Sequence, residues 1–199
     1  MEAGRTAGHH GFSQGGAALY RVVGDVAKLE FLAGEGGAMP ELLAMAAAVG
    51  ALLKERGETV AVSESSTGGL IAAALLAVPG ASTYFIGGGV IYTHKAREVL
   101  LEKRLEDHPG MRASTEPYAL LCASAIRERL GTIWGVGETG ATGPRGNRYG
   151  DAPGHCCIAI SGPRSRAITL ETGQTDREAN MWRFARAALD LLEHMVRSG

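Results

Sequence analysis

The sequence predicts a three-layer α/β/α sandwich built on a mostly parallel or mixed central sheet. Three observations point there. From residue 40 onward, short apolar β-rich runs alternate with stretches of helical periodicity. Turn signals such as Gly57 and Pro79-Gly80 separate them. The chain has 199 residues, 45% of them apolar, which is enough for one domain with a full core. No internal repeat and no second domain is evident.

The elements follow in order. Residues 1–38 are rich in Gly and Ala and lack sustained periodicity beyond a short apolar piece, Leu19 to Val26. They read as a flexible or non-native extension, with Met39 as the initiator if the start is over-long. The domain then spans 39–199. Leu42, Met45, Val49, Leu52 and Leu53 mark a helix that Gly57 ends. Thr59 to Ser63 is a buried strand, and Leu70 to Val78 a helix stopped by Pro79-Gly80. A second strand lies within Thr83 to Thr93, and Ala96 to Leu105 reads as a helix. Ser114 or Thr115 caps the next helix, with Pro117 in its first turn and Tyr118, Leu121, Cys122, Ala125 and Ile126 on its apolar face. Strands at Thr132 to Val136 and Cys156 to Ile160 flank a Gly-rich loop, and Ala167 to Glu171 is an edge strand. An amphipathic helix from Glu178 carries Trp182, Ala185, Leu189, Leu192 and Met195 on one side.

Composition excludes several classes of function. The formal net charge is -1, with no long run of one sign, so neither nucleic acid nor an anionic membrane is an expected partner. No apolar stretch is long enough to span a bilayer. Cys122, Cys156 and Cys157 have no metal or redox spacing and read as buried thiols of a reducing cytoplasm. No clustered ligands imply a metal, and no cofactor is expected; His9-His10 is not expected to be a metal site. An anionic ligand therefore needs a local site.

Three segments carry candidate chemistry. Glu64-Ser65-Ser66-Thr67-Gly68-Gly69 joins a strand to a helix, which sets hydroxyls beside free N–H groups where a helix N-terminus favours negative charge. The same residues also fit a plain helix start with Ser65, Ser66 or Thr67 as N-cap. His94, Lys95 and Arg97 follow Tyr92 after the second strand, at the sheet edge where catalytic groups gather in parallel α/β proteins. They also fit a solvated helix start. The segment from Glu138 to Arg148 offers backbone amides and two arginines that suit phosphate. It matches neither a P-loop nor a GxGxxG fingerprint.

Taken in order, Glu64 to Gly69, Val78-Pro79-Gly80-Ala81-Ser82, Tyr92 to Arg97, Thr139 to Pro144 and Asp176-Arg177 resemble the CinA C-terminal domain family. The family pattern reads ESCTGG, VPGAS, YSNxxK, TGxAGP and a late DR. The resemblance implies a three-layer α/β fold and, in active members, conversion of nicotinamide mononucleotide to nicotinic acid mononucleotide and ammonia. It implies a serine nucleophile at Ser65, a functional tyrosine at Tyr92 and an oxyanion hole from the amides after Ser65. Ser66, Thr67, Gly68 and Gly69 then contact substrate. Thr139, Gly140, Thr142, Gly143, Arg145 and Arg177 hold ribose and phosphate.

This sequence departs from the family at several points. The family lysine falls at Arg97, and arginine cannot act as a general base. Lys95 or His94 would then manage the proton, His94 being better matched to neutral pH. Ser66 replaces a cysteine, Thr142 an alanine and Met181 a second arginine, and Asp151-Ala152-Pro153-Gly154-His155 replaces KPxGT. The expected function is an amidohydrolase on a small nucleotide. The alternatives are a nucleotide-binding paralogue without hydrolysis and a serine hydrolase on another amide or ester. A homodimer is compatible with the apolar Gly-rich elements.

Overall fold

The computed structural model describes residues 20–23, 28–31 and 38–198. The chain divides into two compact units, Met1–Gly37 and Ala38–Gly199. In the first unit, β1 (Tyr20–Val23) pairs antiparallel with β2 (Lys28–Phe31), Tyr20 opposite Phe31. The other expectations for residues 1–38, including His9-His10, lie outside the described residues.

The second unit contains α1 (Ala38–Arg56), β3 (Val60–Glu64), α2 (Leu70–Ala77) and β4 (Phe85–Val90), then α3 (His94–Ala96). It continues with α4 (Glu116–Leu130), β5 (Trp134–Ala141), β6 (His155–Ser161), β7 (Arg166–Glu171) and α5 (Arg177–Ser198). The sheet order is β4-β3-β5-β6-β7. β4, β3 and β5 run parallel, whereas β6 and β7 are antiparallel additions, so the sheet is mixed. As the central parallel strand, β3 is buried along its whole length, the apolar Val60-Ala61-Val62 and the polar Ser63 and Glu64 alike.

α1, α2 and α5 cover one face, where Leu42, Val49, Leu53, Phe184, Leu189 and Leu192 pack on Val60, Val62, Trp134, Val136, Ile158 and Ile160. α4 covers the other face, resting on small residues: Ala119 and Ala123 meet Cys157 and Ala159. At Gly135 and Gly137 the helix comes closer still. A Cβ on Gly137 would meet the Ala119 carbonyl oxygen and would lie 2.8 Å from Ala123 N. That contact explains the glycine better than a loop does.

Two elements differ from the sequence expectation. Glu138 to Ala141 belong to β5, not to a loop, because each residue is paired with β6 as far as Ala141 opposite His155. The helix expected at Ala96 to Leu105 starts earlier, at His94, with the Thr93 hydroxyl accepting from Ala96 N at 3.1 Å. It widens into a π-turn over Arg97–Leu101 and stops where Glu102 turns left-handed at φ 53°.

At the end of the β6–β7 pair, His155 lies opposite Glu171, with Nδ1 2.5 Å from its carboxylate. The other ring nitrogen, Nε2, lies 3.0 Å from Ser114 O, so this strand end also holds the segment that precedes α4. Burial works against the imidazolium, but the Glu171 carboxylate and the Ser114 carbonyl outweigh it and raise the His155 pKa above its usual 6.5.

Two outcomes follow. Gly137→Ala lowers the unfolding free energy by about 2 kcal/mol or more, because backbone has to move. The midpoint of urea unfolding reads this directly, and an unshifted midpoint would refute the close approach of α4. Because the His155 pKa is raised by folding, its contribution is complete below the unfolded value and fades as pH rises through the folded one. Glu171→Gln therefore destabilises more at pH ~6 than at pH ~8.5, to be checked by thermal melting across that range; equal losses at both ends would show that the pair carries no charge.

Candidate active site

β3 ends in Glu64, and the chain then turns through Ser65, Ser66, Thr67, Gly68 and Gly69 into α2. Glu64 is 1% exposed, and its carboxylate reaches forward over the helix start. It accepts from Gly69 N at 2.9 Å, Ile71 N at 3.1 Å and Ala72 N at 2.8 Å. A strand residue thus does the work of an N-cap. None of Ser65, Ser66 or Thr67 caps the helix, because the cap position is Gly69 in a left-handed conformation.

A second buried carboxylate comes from β5. Glu138 faces the same side of the sheet as Val136, while glycines face α4. It accepts from Ser65 N at 2.9 Å, Thr67 N at 2.9 Å and the Ser66 hydroxyl. The Thr67 hydroxyl lies 2.8 Å from both Glu64 Oε2 and Glu138 Oε2, within hydrogen-bond distance of both carboxylates. Burial pushes the Glu64 pKa up, the amides of Ala72 and Ile71 partly offset this, and the nearby Glu138 charge adds to it.

Above this turn lies a cleft with two lobes that share Tyr92, Gly140 and Asn147. The first, of about 360 Å³, holds Ser65, His94, Ser114, Thr139 and the rings of Tyr118 and Tyr149. The second, of about 330 Å³, holds Ser66, Thr142, Gly143, Arg145 and Arg177. The cleft sits at the C-terminal ends of the parallel strands, the usual ligand position in such sheets. Arg177 donates to Gly143 O at 3.0 Å and approaches the Tyr92 hydroxyl at 3.5 Å. Asn180, fully buried on α5, donates to Thr142 O and Gln174 O, both at 2.8 Å, and clamps that loop.

The opposite wall is a preformed loop. Arg112 binds Asp151 with both Nη atoms, at 2.6 and 2.9 Å, and Asn147 Nδ2 adds a bond at 2.7 Å. The Arg112 guanidinium holds the Asp151 carboxyl below the usual carboxylate range. Arg112 and Arg148 both lie over the Tyr149 ring, at 5.4 and 5.8 Å.

Not every residue singled out in the sequence reaches the cleft. Ser65, Ser66, Tyr92, Thr139, Gly140, Thr142, Gly143, Arg145 and Arg177 line it. Lys95 is exposed and lines neither lobe. Arg97 is 1% exposed, donating from Nε to Lys103 O at 2.9 Å, and Nη1 has no partner among the described residues. Its guanidinium sits beside Tyr118 and Cys122, whose thiol burial pushes up to about 11. Thr67 N and Gly69 N are committed to Glu138 and Glu64, which removes them as oxyanion donors, while Ser66 N and Gly68 N have no acceptor among the described residues. Met181 brings its methyl group to Gly68, where the family has an arginine.

From the sequence Arg148 is one of the two arginines suited to phosphate and Tyr118 a packing residue, while Tyr149, Asn147, Asn180 and Glu138 carry no role of their own. No sequence signal marks Glu138, which lies beyond the expected strand in a stretch with the composition of a loop.

Among the described residues no helix is long and apolar enough to cross a membrane. The fold and sequence have close counterparts. A CinA-like protein from Synechocystis sp. is 39% identical over 155 residues, covering 77% of this chain and 37% of that protein. One from Gloeobacter violaceus is 39% identical over 157 residues, covering 76% and 36%. The chain thus spans little more than a third of these relatives. Among solved structures, the competence/damage inducible protein CihA from Agrobacterium tumefaciens superposes with a TM-score of 0.72 at 26% identity, covering 83% of this chain and 99% of that one. A CinA superfamily protein from Klebsiella pneumoniae gives 0.74 at 23% identity, covering 79% and 99%, and shares the fold. The CinA C-terminal domain family matches residues 42–196, and with that match this chain belongs to the CinA C-terminal domain family.

Proposed function

We propose that the protein is an amidohydrolase of the nicotinamide mononucleotide deamidase type, with Ser65 as nucleophile. One observation carries this reading: a half-buried serine on a strand-to-helix turn faces an aromatic lobe that opens into a second lobe holding Arg145 and Arg177. A ligand with a planar carboxamide ring at one end and a phosphate at the other fits that order. The ring rests among Tyr92, Tyr118 and Tyr149, and the phosphate meets the guanidinium groups.

In this reading Ser65 Oγ attacks the carboxamide carbon and its proton passes to an imidazole. His94 lines the same lobe as Ser65, whereas Lys95 does not and Arg97 is buried and permanently charged. The Ser66 N–H, next to the nucleophile, donates to the tetrahedral oxyanion. Collapse of that intermediate breaks the C–N bond, and the imidazole returns the proton to the leaving ammonia. Water then attacks the acyl–Ser65 ester, releasing the carboxylate product and restoring the serine.

The buried Arg97 also supports a second reading, a nucleotide-binding paralogue that no longer hydrolyses, since it stands where the family has lysine. The two readings separate in one assay. Amidohydrolase activity means ammonia release from nicotinamide mononucleotide that Ser65→Ala reduces by at least about 10³-fold, with His94→Gln lowering kcat by about 10²-fold. Thermal stabilisation by the mononucleotide without ammonia would select the binding paralogue. Turnover only with other amides or esters would move the enzyme to another substrate, and full activity in Ser65→Ala would remove the nucleophile assignment.

A further inference from the structure

One side chain fastens the Ser65-Ser66-Thr67 turn from beneath. Glu138 is 2% exposed and stands on β5, on a different strand from the turn it holds. Its Oε2 accepts from Ser65 N at 2.9 Å, Thr67 N at 2.9 Å and Thr67 Oγ1 at 2.8 Å. Its Oε1 accepts from the Ser66 hydroxyl and from the Cys156 thiol at 3.6 Å. Two flanking amides of the turn are thus bound to one oxygen. The amide between them, Ser66 N, remains unspent among the described residues. Position 138 lies outside the motifs that carry the family resemblance, and the mechanism above gives it no proton to move.

We propose that Glu138 is a positioning residue for Ser65. It fixes the pitch of the turn so that the Ser65 hydroxyl faces the cleft and the Ser66 N–H is left to receive the oxyanion. The proposal rests on the serine amidohydrolase reading and deepens it. The role is geometric: a negative charge beneath the turn opposes a developing oxyanion, so the turn uses the acceptor oxygens and not the charge. The Ser66 hydroxyl, buried and spent on Glu138, serves as a strut and not as a second nucleophile.

Substitutions separate geometry from charge. In Glu138→Gln the carbonyl oxygen keeps the three donors of Oε2, and the NH₂ group donates to Ser66 Oγ, which has lone pairs to accept it. In Glu138→Ala the turn loses every one of these acceptors.

The experiment follows Ser65 in two ways. Ammonia release from nicotinamide mononucleotide gives kcat and KM, and the rate of Ser65 phosphonylation by a fluorophosphonate reports nucleophile geometry whatever the substrate. Glu138→Ala is expected to lower kcat and the labelling rate by about 10²-fold, the cost of a roughly 1 Å misplacement, while KM changes much less. Glu138→Gln recovers about tenfold or more of both losses. Circular dichroism accompanies each sample. If Glu138→Ala does not fold, Glu138→Asp, one methylene short of the turn, takes its place with the same expected slowing. Labelling at the parent rate in the folded Ala or Asp variant overturns the proposal, as does a Gln variant as slow as Ala. A parent labelled at Ser65 that releases no ammonia overturns the substrate reading and leaves the labelling comparison intact. A parent that the fluorophosphonate never labels at Ser65 overturns both.

Discussion

Two buried carboxylates converge on the hydroxyl of Thr67, and the Ser65-Ser66-Thr67 turn is arranged around that meeting point. Taking such groups out of water costs several kcal/mol each unless every lone pair finds a donor. Here the donors are supplied by the turn itself and by the first turn of α2. The strand end, the helix start and the neighbouring strand β5 therefore form one network. A network of this kind rigidifies when complete and is worse than an apolar core when half satisfied. The raised Glu64 pKa is the visible sign of the tension: burial and the neighbouring charge oppose ionisation while amides favour it.

Arg97 belongs to the same accounting of buried charge. A guanidinium at 1% exposure needs compensation, and its recorded ion pair, with Glu98 at 3.9 Å, is long. The Cys122 thiol feels both Arg97 and Glu138, one lowering and the other raising its pKa, which places that sulfur between opposite buried charges. Arg97 itself lines neither lobe of the cleft.

The layers of the fold were legible because they rest on periodicity. The apolar spacing of α1 and α5 and the short runs at β3 and β6 each match a buried face in the structure. The second half of β5 was not legible, because Glu138-Thr139-Gly140-Ala141 has the composition of a loop. Its strand character comes from pairing with β6, and Gly140 stands where a Cβ would press on the His155 and Cys156 backbone, both tertiary facts. The Ser65 turn could be located, but three candidate N-caps in a row hid the actual cap, which reaches forward from Glu64. Tyr118 read as part of an apolar helix face and Tyr149 as a loop residue. Only folding brings them to the same lobe as Ser65.

The antiparallel pairing of β5 with β6 closes with Ala141 opposite His155, and everything between these two residues hangs outside the sheet. That segment supplies Thr142, Arg145, Asn147 and Tyr149 to the cleft, and it is tied back by Asn180 at Thr142 O and by Arg112 at Asp151. Within it the exposed Arg145 and Arg148 carry none of these ties, so exchange there alters the lining of the cleft without touching the Ser65 turn.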